Sequence, residues 1–95
     1  MTTDSKVLLA IVEESQRAHG NYGNPTSAHE SLGVLIEEMD ELREAIHDNS
    51  GARTYDEAVQ VASVAYRLAL AIESCDLAFF HRSGFAVREP DLFAK

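Results

Sequence analysis

From Ala58 to Ile72 the chain is apolar at nearly every position, interrupted only by Gln60, Ser63 and Arg67. As a helix this stretch is apolar on all sides, and such a helix is buried on all sides. Two further helices from a chain of 95 residues cannot wrap it. The run is also too short to cross a bilayer. The expected fold is therefore an all-α helical bundle completed by dimerisation, with a four-helix-bundle-like core. The many alanines in the run permit close helix approach.

The other helices follow from periodicity and stop signals. Val7, Leu8, Ile11 and Val12 make a stripe at helical spacing, which predicts a first helix over Lys6–Ala18 capped by Asp4 or Ser5. Glu13, Glu14 and Arg17 read as its wet face. The cluster HGNYGNPTS, 19–27, breaks that helix. It lacks the spacing of a phosphate-cradling P-loop and reads as a connection. Tyr22 within it either packs over a planar ligand or covers the bundle end.

Ser27-Ala-His-Glu30 matches a capping box, so a second helix is expected over Ala28–His47. Leu32, Leu35, Ile36, Met39, Leu42 and Ile46 form its apolar stripe, with Glu38 and Glu41 on one flank. A loop, HDNSGAR, follows. Thr54-Tyr-Asp-Glu57 is a second capping box, starting a third helix from Tyr55 to about Phe80 or His81. Gly84 to Lys95 reads as a C-terminal tail, whose Phe85, Val87, Leu92 and Phe93 pack on the body or on a partner. The whole, 1–95, is read as a single domain.

Charge narrows the partners. Sixteen acids against eight Lys and Arg leave a formal charge of −8. Phosphate-backbone contact needs clustered cations, so nucleic acid is not an expected partner. If the ligand is a phosphate compound, cations must sit between the anions. No targeting pattern opens the chain. The single cysteine, Cys75, cannot form an internal disulfide and reads as a small buried apolar residue, which suits a cytoplasmic setting.

The acids are patterned. Glu37, Glu38 and Glu41 spell E-E-x-x-E, and residues three or four apart share a helix face. Glu57 and Gln60 lie three apart on the next helix, on a face shared with Val64 and Arg67. Antiparallel helices joined by a short loop pack side by side, so Glu38 and Glu41 can face Glu57 and Gln60 across a groove. Magnesium accepts such oxygens while keeping several waters, and it can neutralise a polyphosphate and activate water. A nearby carboxylate, Glu37 for instance, can accept the water's proton. Plainer roles stay open for the same residues. The glutamates can be a solvated face, Glu57 a capping acid and Gln60 a satisfied buried amide. Arg67 can be a salt-bridging or snorkelling side chain rather than a phosphate ligand. His29, at a helix start that suits anions, either helps to hold phosphate or is simply exposed.

E-E-x-x-E followed, after a short spacer, by E-x-x-D on the next helix is the signature of the MazG-like, all-α nucleoside triphosphate pyrophosphohydrolases. Dimeric dUTPases and phosphoribosyl-ATP pyrophosphohydrolases are their relatives. The strings SAHESLGVLIEEMDELREAI and DEAVQVASVAYRLAL resemble small proteins of this kind over Ser27 to Ile72, about half the chain. The resemblance implies that Glu38, Glu41 and Glu57 are metal ligands, with Glu37 as the leading acid of the first motif. Gln60 stands where the family has aspartate, offering a neutral carbonyl oxygen in place of a charge. It further implies Mg2+ (or Mn2+) as cofactor and a nucleoside triphosphate as substrate, cleaved to monophosphate and pyrophosphate. The expected assembly is a homodimer or homotetramer, with no membrane partner. In that reading Glu37, Glu38 and Glu41 serve catalysis, and His29 and Arg67 bind substrate. The alternatives are a weakened or inactive relative that binds nucleotide or metal, for which Gln60 speaks, and a helical interaction module whose acids are only surface.

Overall fold

The computed structural model describes residues 1–74 and is all-helical over them, with α1 (Thr3–Tyr22), α2 (Ala28–His47) and α3 (Gly51–Glu73). The helix α3 packs against both α1 and α2. Among the described residues no helix is long and apolar enough to cross a membrane. Cys75, the end of the third helix beyond Ser74, and the tail from Gly84 lie outside the described residues.

Each helix start is set by a hydroxyl. Thr2 Oγ1 accepts from Ser5 N at 3.0 Å and caps α1, so the cap falls before Asp4 and Ser5 rather than on them. Ser27 Oγ accepts from Glu30 N at 3.0 Å, and α2 occupies the span its sequence predicts. The returning arm of that box goes to Thr26, whose N–H donates to Glu30 Oε1 at 2.9 Å. The helix α3 is capped by Ser50, whose hydroxyl accepts from Arg53 N at 3.2 Å. The expected Thr54–Glu57 capping box therefore does not form. Thr54 is already in the helix, and Glu57 is released from a capping role.

The helix ends also differ from the expected ones, for a backbone reason. Gly20 is accommodated inside α1 at a cost of about 1 kcal/mol relative to alanine. The stop comes at Gly23, which takes φ 73° and donates its N–H to His19 O at 2.8 Å. At the other link Asn49, with φ 58°, makes the left-handed turn, and Gly51 becomes the first residue of α3. Asparagine tolerates that conformation better than most side chains. The link between α2 and α3 is thus only Asp48 to Ser50, braced by Arg53 donating to Asp48 at 2.9 Å.

The seam between helices takes only part of the apolar stripe of α2. On α2 the residues buried in the chain are Ser31 and Ala45, with Leu35, Glu38 and Leu42 half-buried on the same face. Leu32, Ile36, Met39 and Ile46 are exposed, Ile36 at 58% and Ile46 at 57%. On α3, Ser63 and Ala71 are buried, while Ala58, Ala65, Tyr66, Ala69 and Leu70 face outward. Small residues at the contacts let the backbones approach closely, so the fully buried positions among the described residues are alanine and serine. Several large apolar side chains, Ile36 and Ile46 among them, stay exposed there.

Candidate metal centre and adjoining cleft

Glu38 and Glu41 stand one turn apart on α2, and Glu57 stands in the second turn of α3 across the short link. Each offers a carboxylate oxygen, and these atoms lie within 4.8 Å of one another. Oxygens opposite each other on a magnesium ion are about 4.2 Å apart, twice its bond length, and those on calcium up to about 5 Å. Only one pair among three ligands can stand opposite, and neighbouring oxygens on magnesium are about 3 Å apart, so binding the ion draws the carboxylates closer together than this limit. Glu38 and Glu57 are half-buried and Glu41 is exposed, which leaves one side open to water.

One atom gives this cluster its meaning. Glu57 Oε1 is buried and has no hydrogen-bond partner in the protein. A buried carboxylate oxygen without a donor costs free energy on folding, so such atoms are rare unless a cation or proton completes them. Released from capping by Ser50, Glu57 is available for that purpose.

The electrostatics agree. Glu38 is pushed above the usual glutamate value of 4.5, first by burial, then by the charges of Glu41 and Glu57. The charge of Glu37 adds to the rise. On linkage, the native state holds a proton on Glu38 that the unfolded chain has already released, so stability falls as pH rises from 4.5 through the raised value. Glu14 works in the opposite sense below 4.5, because its own pKa is lowered. Thermal melts in a chelator, from pH 4.5 towards neutrality, are expected to show a decline that Glu38→Gln largely removes. Parallel profiles for the two proteins would contradict this electrostatic picture.

Beside the carboxylates lies a cleft of about 500 Å³, large enough for a nucleotide-sized ligand. Glu38 lines it, as does Gln60, one turn along α3 from Glu57. Arg67 lines it too, half-buried, with Nη2 donating to Gly23 O at 2.7 Å. That bond ties α3 to the end of α1 and leaves the remaining guanidinium donors of Arg67 for a ligand. Asn24 and Thr26, from the link between α1 and α2, are also in its lining.

The structure thus brings together Glu38, Glu41 and Glu57, and places Gln60 and Arg67 in the adjoining cleft. Glu37 is exposed, outside the three-oxygen cluster but close enough for its charge to act on Glu38. His29 is exposed in the first turn of α2 and does not line the cleft.

The sequence reading missed Glu14. Expected on a wet face, its side chain is only 15% exposed and lines the cleft with Gln60. The reason is that α1 lies against α3 through Ser15 and Ala18, both buried, which turns the neighbouring position 14 inward. Arg17, 54% exposed, donates through Nε to Glu14 Oε1 at 3.0 Å and through Nη2 to the other oxygen. The Arg17 guanidinium first, and then the neighbouring Gln60 amide, hold the Glu14 carboxyl below its usual range. The i,i+3 spacing of Glu14 and Arg17 was legible, but the inward tilt was not. Comparison of the chain with family models, with curated proteins and with solved structures returns no match.

Proposed function

We propose that this protein is a magnesium-dependent nucleoside triphosphate pyrophosphohydrolase of the MazG-like kind, releasing pyrophosphate and a nucleoside monophosphate. The observation that carries the reading is that Glu57, one of whose oxygens is buried without a partner, offers a carboxylate oxygen within 4.8 Å of those of Glu38 and Glu41. These residues would hold the ion, and the carbonyl oxygen of Gln60 is a further donor beside them. The donor set, all oxygen and mostly anionic, fits a hard divalent cation. When bound, magnesium (or manganese) supplies counter-charge to a polyphosphate and activates water. The chain's own residues do the rest. Arg67 presents donors to phosphate oxygens in the cleft. Glu37, exposed to solvent beside the cluster, accepts a proton and passes it to bulk water.

Nucleoside triphosphates incubated with the protein and Mg2+ are expected to yield pyrophosphate in equal amount to monophosphate. Orthophosphate with a diphosphate product would contradict the assigned bond. A second reading, binding without turnover, is favoured by one observation. Gln60, half-buried and neutral, brings no charge to the cluster. Metal binding without pyrophosphate release would select it. The third reading, a helical interaction module, predicts that neither occurs.

The assembly belongs to the same proposal. Among the described residues Ile36, Met39, Ile46 and Leu8 are each more than half exposed, a large apolar surface beside fully buried apolar residues that are all alanines. A second copy covers such a surface most simply. Sedimentation at micromolar concentration is expected to give about twice the 10.5 kDa chain mass, or a multiple of that. A monomer would end this part of the reading.

A further inference from the structure

We infer that Ser31 and Ser63, whose hydroxyls stand without a partner between α2 and α3, donate hydrogen bonds to the anionic oxygens of a phosphate chain laid along the cleft from the cation site to Arg67. This rests on the reading of Glu38, Glu41 and Glu57 as that site.

Among the described residues, the fully buried positions of α2 and α3 are Ser31, Ala45, Ser63 and Ala71. The two serines line the cleft, and the two alanines do not. Alanine serves close helix approach as well as serine does, so packing does not account for the hydroxyls. A buried hydroxyl without a partner costs free energy on folding that alanine avoids. A serine within a helix can offset that cost on a carbonyl of its own preceding turn. Ser74 does so, donating to Leu70 O at 2.7 Å. Ser31 and Ser63 are only 4% and 2% exposed, and among the described residues neither hydroxyl makes a hydrogen bond. The enclosed side-chain oxygen without a partner among those residues is Glu57 Oε1. The two serine hydroxyls are therefore not enclosed, and the open space that both residues border is the cleft.

Position and charge assign the ligand. The helices α2 and α3 run in opposite directions from their short link. Ser31 lies about 10 Å along α2 from Glu38, and Ser63 about 9 Å along α3 from Glu57, both leading away from that link. Arg67 follows one turn beyond Ser63, half-buried, with donors to spare after its bond to Gly23 O. The hydroxyls thus stand between two positive anchors, a bound cation at one end and a guanidinium at the other. Each anchor calls for anionic oxygen, and a ligand that meets both carries its negative charge across the serines. A hydroxyl there donates to such an oxygen without adding a charge of its own, in a cleft that Glu14, Glu30 and Glu38 also line. A chain of linked phosphates has this form.

The probe is inorganic tripolyphosphate, titrated into the full chain with Mn2+ present. Wild type is expected to bind it. Ser31→Ala and Ser63→Ala are each expected to weaken that binding about 10-fold, the scale of one hydrogen bond to a charged group, with Mn2+ affinity unchanged. Without ligand, both variants are expected to melt no lower than wild type, since alanine removes a buried hydroxyl that has no partner. A variant that melts several degrees lower, or does not fold, shows that its hydroxyl serves the fold and overturns the inference. Equal tripolyphosphate affinity for wild type and variants also overturns it, and a loss seen only with nucleoside triphosphates would move the hydroxyls to the sugar or base. A wild type that takes up Mn2+ and cleaves nucleoside triphosphates but does not bind tripolyphosphate overturns the inference alone. A wild type that binds neither Mn2+ nor any of these phosphates removes the inference and the proposed function together.

Discussion

Glu57→Gln is expected to raise the melting temperature of the metal-free protein while lowering its Mg2+ affinity by about 100-fold, the upper end of the range for orienting residues and a floor for a ligand itself. Both effects come from one atom. In the wild type, Glu57 Oε1 is buried without a donor, on a carboxylate that stands close to two others. The amide removes one negative charge from the cluster and brings an N–H that can donate to Glu38. A hydrogen bond gained in this way contributes about 1 kcal/mol, or a few degrees in a domain of this size. The volume hardly changes, so cavity effects do not confuse the result. A structural role for Glu57 predicts the reverse pattern, a lower melting temperature with unchanged Mg2+ binding. Thermal melts with and without Mg2+, beside calorimetric titration, separate the two outcomes.

Gln60→Asp is expected to tighten Mg2+ binding and to raise triphosphate hydrolysis, at the expense of apo stability. Aspartate places an anionic oxygen beside the cluster, where the present residue offers a neutral carbonyl. Without metal, the change sets another negative charge in a half-buried, acidic cleft that Glu14 and Glu38 also line. An unpaired polar group placed there costs about 1–3 kcal/mol. Ligand linkage then works in the variant's favour. A site held at 100 times its dissociation constant gains about 2.7 kcal/mol, so Mg2+ is expected to restore most of the loss. The pattern sought is a lower apo melting temperature, a larger upward shift with Mg2+, and faster pyrophosphate release. A variant that is merely less stable, with Mg2+ affinity and turnover unchanged, would mark Gln60 as a packing amide.

What the chain determines by itself is whatever depends on neighbours three or four residues apart. The bounds of α2 were legible because Ser27 and Glu30 form their cap within one turn, with no help from the rest of the fold. The meeting of Glu38 and Glu41 with Glu57 was legible for a related reason. Helical spacing pairs the first two, and a short link leaves the next helix nowhere else to pack. Where local signals competed, sequence alone misjudged the winner. Ser50 and Thr54 are both capable caps, and Asn49 and Gly51 both capable of the turn. The tighter link, with Arg53 reaching Asp48, selected Ser50 and Asn49. The tertiary structure alone decided which faces meet. A stripe of leucine, isoleucine and methionine on α2 marks an apolar face without saying what covers it. The contact with α3 instead uses Ser31, Glu38 and Ala45, because small side chains allow the closer approach. The same choice turned Glu14 from the solvent towards Gln60, and carried Arg67 to the carbonyl of Gly23, 44 residues away. No local pattern encodes contacts of that range, since they exist only once α1 and α2 lie against the same central helix.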